Sequence, residues 1–323
     1  MKKALVIGIA GQDGSYLAEY LIKQGYEVHG VVRKAALEDP SHRLWRLTKI
    51  LSKIFLHSAH IESYPSIFKV FQNVMPDECY HLAAESFVSY SLEDEFSTMN
   101  TNINGTHHVL SSLNEACPEC KFYFAGSSEM FGNVKEFPQT ELTKFMPRSV
   151  YGISKVAGYQ LTRNYREKNN IFACSGILFN HESPRRGFEF VTRKISSTVA
   201  KIKLGLEKEI ILGNIESKRD WGYAGDYVKS MHAMLQYEKP DDYVIATGIT
   251  HSVKDFLEIA FMEIGLHYQD YLIIDEKFYR PTEDVNLVGN ANKAKDVLNW
   301  SPEVKFEELI AIMVRADIKY YSK

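Results

Sequence analysis

Lys3-Ala4-Leu5-Val6-Ile7-Gly8-Ile9-Ala10-Gly11-Gln12-Asp13-Gly14 opens the chain with an apolar run that gives way to closely spaced glycines. Residues 3–9 lack polar alternation, the pattern of a strand buried on both faces. Tyr16, Leu17, Tyr20 and Leu21 then recur at helical spacing, and Gly25 closes that helix. Glycines between a strand and a helix permit a tight turn and bring backbone amides close to a pyrophosphate at the helix N-terminus. Gly8, Gly11, Gln12, Asp13 and Gly14 are therefore candidates for binding a dinucleotide. Glycine serves many strand–helix turns, so the placement directly after the first strand carries the reading.

Outward from that turn the pattern repeats. Short apolar runs at 27–32, 53–56, 78–82, 121–124 and 172–178 read as strands, with helical periodicity at 67–74, 104–116 and 150–169 between them. Such alternation predicts an α/β fold, a Rossmann-like doubly wound parallel sheet with a smaller C-terminal substrate lobe. The expected division is a dinucleotide-binding domain over 1–178 and a lobe, mostly for substrate, over 179–323. A late strand near 243–247 would return to the sheet.

Composition sets the limits. A chain of 323 residues, 45% hydrophobic, can bury a large core. With 38 basic and 41 acidic residues the net charge is −3, and no basic field suggests nucleic acid or a membrane surface. No apolar run approaches the ~20 residues needed to span a bilayer. The N-terminus reaches Gly8 and Gln12-Asp13-Gly14 too soon for a signal peptide, so a cytoplasmic location is expected. Four cysteines (Cys79, Cys117, Cys120, Cys174) are too few for a disulfide framework. Cys117-Pro118-Glu119-Cys120 has zinc-knuckle spacing without a second ligand pair, so no metal site is expected.

Chemistry gathers in two places. Ser127-Ser128-Glu129 follows the strand at 121–124, at the carboxyl edge where doubly wound folds bind ligands. Tyr151 and Lys155 lie four apart on a helix and share a face. An ammonium beside a phenol favours the phenolate, so Tyr151 is expected below its usual value near 10 and able to take a hydroxyl proton. The plain alternatives are a helix-start carboxylate for Glu129 and an amphipathic helix for the Tyr/Lys pair. At the end of the second strand stands Val31-Val32-Arg33-Lys34, with no carboxylate for a ribose diol. The two cations Arg33 and Lys34 favour the extra phosphate of NADP over NAD.

Taken together these motifs resemble the extended short-chain dehydrogenase/reductases, and specifically the GDP-mannose 4,6-dehydratase family, over nearly the whole chain. The resemblance rests on Gly11–Glu19, Ser127-Ser128-Glu129, Tyr151-x-x-x-Lys155, Gly176–Gly187, Val191-Thr192-Arg193-Lys194, Lys218–Gly222 and Arg280-Pro281-Thr282-Glu283. It implies that Tyr151, with Lys155 beside it, deprotonates the carbon-4 hydroxyl while hydride passes to NADP. Ser127 would hold the carbon-4 oxygen, and Glu129 would remove the carbon-5 proton and assist loss of water from carbon 6. It places Leu82, Ala83, Ser86, His181 and Arg186 beside the cofactor. Ser86, Asn180, Val191, Lys194, Arg219, Arg280 and Glu283 fall at the GDP-linked hexose, with Arg219 and Arg280 on the pyrophosphate and Glu283 facing guanine. A homo-oligomer, dimer or tetramer, is implied as well. Arg185 and Arg186 have an alternative use in subunit or cofactor contacts, and Trp221 reads as packing.

The chain departs from the family pattern in places. Ala35-Ala36-Leu37-Glu38-Asp39 replaces an arginine/serine-rich loop, and Ala59-His60-Ile61 stands for Gly-Asp-Leu. Ala84-Glu85-Ser86-Phe87 alters a loop near the nicotinamide. Gly126-Ser127 replaces Ser-Thr, which suggests room for a bulkier carbon-2 group. GDP-N-acetylglucosamine is therefore the leading substrate, as in the dehydratases of nonulosonic acid synthesis, with GDP-mannose the alternative. A nucleotide-sugar epimerase or reductase would keep Tyr151 and Lys155 without needing Glu129. A cofactor-sensing binding protein could dispense with the Tyr/Lys pair altogether.

Overall fold

In the computed structural model, which describes residues 1–87, 93–278 and 287–322, the apolar runs assemble into one central sheet. Its strands are β1 (Lys3–Ile7), β2 (Glu27–Val32), β3 (Ile54–Ser58), β4 (Glu78–His81), β5 (Lys121–Ala125) and β6 (Ala173–Leu178). A late strand, Asp242–Ile245, pairs in parallel with β6. Strand order is Asp242–Ile245, β6, β5, β4, β1, β2, β3, and every pairing in this sheet is parallel. The order reverses at β1, which leaves a crevice between the carboxyl ends of β1 and β4. The doubly wound class read from the sequence is the observed one.

Helices cover both faces because the strands are apolar on both. On one face α1 (Gln12–Lys23) packs with the helix Ala224–Gln236, burying Leu17, Leu21, Val228, Met231 and Leu235 against Val6, Val28 and Tyr123. On the other, the helices Tyr64–Val74, Gly105–Ala116 and Val150–Asn169 bury Phe71, Leu110 and Tyr159 against Leu5, Phe122 and Phe124. A third core belongs to the C-terminal part. There the helices Val191–Lys203, Val253–Met262 and Phe306–Tyr321 enclose Ile195, Phe256, Leu309 and Met313. Trp221 is 3% exposed and stacks on Phe306, so it packs, as the sequence suggested.

The C-terminal part is interleaved with the sheet. Ala224–Gln236, Asp242–Ile245, Ala294 and Trp300 all return to the first core. Two small sheets complete the lobe: Thr250–Ser252, Lys218–Tyr223 and Asn180–Glu182 form one, Leu272–Ile274 and Ile210–Leu212 the other. A buried ion pair, Arg193 to Asp317 at 2.6 Å, ties Phe306–Tyr321 to Val191–Lys203. Among the described residues no helix is long and apolar enough to cross a membrane.

Candidate active site

A cleft of roughly 670 Å³ runs along the carboxyl ends of β1, β2, β4 and β5. Its floor is the turn after β1. Gly8 has φ +92°, and a Cβ there would lie 2.8 Å from the Ala83 amide nitrogen. A Cβ on Gly14 would lie 2.3 Å from the Gly8 carbonyl oxygen, so α1 can begin this close to β1 only without one. Gly11 caps α1 without a side chain, which leaves the N-terminus of α1 open toward the cleft. Gly8, Gly11, Gln12, Asp13, Gly14, Leu82, Ala83 and Ser86 all line this space. The cradle fits the pyrophosphate of a dinucleotide.

Behind it lies a polar network. The Asp13 carboxylate is 2.8 Å from Nε2 of His181, whose Nδ1 is 2.7 Å from the Phe179 carbonyl. Gln12 donates to Asp13 and to the His181 carbonyl, and Ser183 donates to Gln12. Burial opposes charge on both partners, yet the attraction between them holds Asp13 below the usual carboxylate range and His181 above the usual imidazole value. Arg186 is held by the buried Glu182 at 3.1 Å, and its guanidinium lies 3.5 Å from the centroid of the Phe190 ring. Sequence reading had placed His181 and Arg186 at the cofactor, and both line the cleft.

At the β5 end the four chemistry-bearing residues come together. Ser127 follows β5, and its Oγ accepts the Glu129 amide at 3.2 Å, starting the short turn Ser128–Met130. Ser149 caps the helix Val150–Asn169 by accepting the Gly152 amide at 3.0 Å, and that helix presents Tyr151 and Lys155. Ser127, Glu129, Tyr151 and Lys155 all line the cleft. Tyr151 and Lys155 are 8% and 5% exposed.

The expectation that Lys155 depresses the Tyr151 phenol is corrected here. Burial pushes Tyr151 up to about 12, with the Ser127 hydroxyl pulling down and the Glu129 carboxylate pushing up. Lys155 Nζ lies 5.8 Å from the centroid of the Tyr151 ring and donates to the Ala125 carbonyl at 2.8 Å, so the ammonium is anchored on β5. Its own pKa falls to about 8 through burial. Desolvation outweighs pairing at this end of the cleft.

Two further expectations change. Lys34 stands outside the cleft lining, its side chain 74% exposed and 3.5 Å from Glu38, because the helix Lys34–Glu38 begins there and carries it away. Arg33 does line the cleft. Gly126 does not open space for a sugar: a Cβ there would lie 2.9 Å from the Gly176 carbonyl and 3.4 Å from Met130 Cε. The missing hydroxymethyl faces β6.

Toward the C-terminal lobe, Asn180 and Arg219 line the cleft from neighbouring strands. Val191 and Lys194 occupy the first turn of Val191–Lys203, outside the lining, with Lys194 Nζ 4.4 Å from the Phe278 ring centroid. Arg280 and Glu283 lie outside the described residues. Arg185 turns to α1, pairing with Glu19 at 2.6 Å and donating to Ser15. Sequence reading missed Arg43, Arg46 and Thr101, which also line the cleft. Arg46 donates to the Arg185 carbonyl at 2.7 Å, and burial pushes it down to about 10. Nothing local in the sequence marks these residues, since Arg43 ends a four-residue helix, Arg46 lies in a 3-10 turn and Thr101 in a π-helical one. Cys117 and Cys120 are buried beside the start of β5, outside the cleft lining.

A doubly wound sheet with a glycine cradle after β1 and a Tyr-x-x-x-Lys helix beside β5 defines an extended short-chain dehydrogenase/reductase. Comparison with known proteins narrows this. The family model described as GDP-mannose 4,6 dehydratase matches residues 5–313. The chain is 46% identical to GDP-mannose 4,6 dehydratase 1 of Arabidopsis thaliana, over 98% of this chain and 90% of that protein. It is 44% identical to the human GDP-mannose 4,6 dehydratase, over 98% and 91%. Among solved structures, dTDP-glucose 4,6-dehydratase from Bacillus anthracis with NAD superposes at a TM-score of 0.85 and 20% identity, over 100% of this chain and 98% of that one. The chain belongs to the GDP-mannose 4,6-dehydratase family.

Proposed function

We propose that this protein is a GDP-hexose 4,6-dehydratase, a hydro-lyase that leaves a 4-keto-6-deoxy sugar on the nucleotide. The observation that supports it most is half-buried Glu129 beside Ser127 and the buried Tyr151 in one corner of the cleft. An epimerase or reductase needs the phenol and the amine; a base for carbon 5 is the additional requirement of elimination.

A nicotinamide dinucleotide bound in this cleft would supply the hydride acceptor and donor that oxidation at carbon 4 and reduction at carbon 6 require. Tyr151 takes the proton of the carbon-4 hydroxyl once the positive charge of an oxidised nicotinamide bound beside it offsets the burial that holds its phenol up, and Ser127 donates to that oxygen as it becomes a carbonyl. Lys155 holds β5 and the catalytic helix in register through the Ala125 carbonyl. Glu129 takes the carbon-5 proton, made acidic by the neighbouring ketone, and delivers a proton to the departing hydroxyl at carbon 6. Arg219 serves the substrate pyrophosphate. Gly8, Gly11, Gln12, Asp13, Gly14, His181 and Arg186 would hold the dinucleotide, with Arg33 favouring NADP. A homo-oligomer, on resemblance alone, and a cytoplasmic location complete the reading.

Of the two sugars, GDP-mannose draws support from the whole-chain similarity. GDP-N-acetylglucosamine loses the argument from Gly126 and retains the one from Ser127, which lines the cleft. Parallel incubation with GDP-mannose, GDP-N-acetylglucosamine and UDP-N-acetylglucosamine, read by mass for loss of water, decides between them. Turnover of neither GDP-sugar overturns the dehydratase reading.

A further inference from the structure

Three strand ends converge where a doubly wound fold places the adenosine ribose. Arg33 follows β2 directly, Glu62 stands on the loop after β3 and Glu85 on the loop after β4. Nη2 of Arg33 donates to Oε1 of Glu62 at 3.3 Å and to Oε1 of Glu85 at 3.4 Å. The chain holds the Glu62 carboxylate and the Glu85 backbone in place. Thr101 Oγ1 donates to the same Glu62 oxygen at 2.9 Å. Asn102 grips Glu85 by both backbone groups, accepting its N–H at 2.9 Å and donating to its carbonyl at 3.2 Å. Thr101 and Asn102 are 4% and 3% exposed and adjacent on the π-helical turn Asn100–Asn104, a local widening that often accompanies function.

A ribose 2′-phosphate calls for a cation, whereas a free 2′-hydroxyl is satisfied by a carboxylate acceptor. This end of the cleft holds a guanidinium already engaged by two carboxylates. We propose that Glu62 and Glu85 are specificity-determining residues that blunt the choice between NADP and NAD. The inference rests on the reading that the cleft binds a nicotinamide dinucleotide. To seat the 2′-phosphate, Arg33 exchanges its carboxylate contacts for phosphate, and the phosphate stands beside two like charges. To seat NAD, a carboxylate has only to accept a ribose hydroxyl.

The test is titration calorimetry of the full chain with NADP+ and with NAD+ at low ionic strength, where exposed charges are least screened. Wild-type dissociation constants for the two are expected to lie within about tenfold of each other, and Glu62→Gln with Glu85→Gln to shift the ratio toward NADP+ by about tenfold or more. Glutamine keeps an acceptor for Thr101 and removes only the charge. Arg33→Ala should weaken NADP+ and leave NAD+ nearly unchanged, and the single Glu85→Gln variant, whose backbone grip by Asn102 is untouched, guards against misfolding of the double variant. A ratio that does not move in the Gln variants, with both dinucleotides bound, overturns the inference. Failure of the wild-type chain to bind either dinucleotide removes the cofactor reading, and the inference with it.

Discussion

The two ends of the cleft are held by different physics. Around β5, Tyr151 and Lys155 are 8% and 5% exposed, and burial is the largest cause that moves the phenol up to about 12 and the amine down to about 8. Around β2, the side chains of Arg33 and Lys34 are 59% and 74% exposed and rest in carboxylate pairs open to solvent. A charge in the dry end is expensive unless the reaction uses it, whereas a charge in the wet end is screened and replaceable. The dry end thus suits proton transfer, and the wet end suits selection among ligands.

That contrast can be broken most sharply at Tyr151. Tyr151→Phe should lower kcat by about 10³-fold or more while dinucleotide affinity, measured by calorimetry, stays close to wild type. If affinity falls as steeply as turnover, the phenol is holding ligand and the dry end has been misread. Glu129→Gln should come next, with dehydrated product down by about 10²–10⁴-fold. Because carbon-4 oxidation would survive, the near-ultraviolet absorbance of reduced nicotinamide should appear and persist in that variant. An undiminished yield of dehydrated sugar would exclude Glu129 as the base.

Lys155 measures the cost of dryness itself. Its folded pKa is lowered from 10.5 to about 8, so between those values the folded state binds fewer protons than the unfolded chain. Stability contributed at this site therefore rises with pH across that window and is weakest below it. Relative to Lys155→Met, the wild type should gain about 3 kcal/mol from about pH 7 to about pH 11, read as a shift in urea midpoint. A flat difference would mean that the amine is hydrated in solution. The smallest effect belongs to the wet end. Lys34→Ala removes an exposed pair one turn apart and should change stability by less than about 0.5 kcal/mol, with little effect on either dinucleotide. A large loss of NADP affinity in that variant would return Lys34 to the site.

Much of the sheet was legible because strand burial writes itself locally. The stretch 27–32 was read as a strand and forms β2 over those same residues; 3–9 overshot β1 by two residues because Gly8 turns the chain at φ +92°. The quartet at β5 was legible for a similar reason. Ser127 and Glu129 are two residues apart after a strand, and Tyr151 and Lys155 are four apart on a helix, so local geometry brings each pair together. The π-helical turn Asn100–Asn104 left no periodic mark, and the stretch read as helical from 104 conceals it. Thr101, Asn102 and the carboxylates they hold were therefore invisible as a group.

The sequence by itself determined the doubly wound class, the glycine turn, the grouping of Ser127 with Glu129 and of Tyr151 with Lys155, and the family, because each is encoded in spacing over a few residues or in the ordered set of motifs. Only the tertiary structure decided which neighbours carry weight. It turned Lys34 out of the cleft and kept Arg33 in, aimed the missing side chain of Gly126 at Gly176, and set Lys155 on the Ala125 carbonyl. It also buried Tyr151 deeply enough to reverse the expected shift of its phenol. Desolvation, and the direction in which a side chain leaves its backbone, depend on residues distant in sequence, so no local pattern could have fixed them.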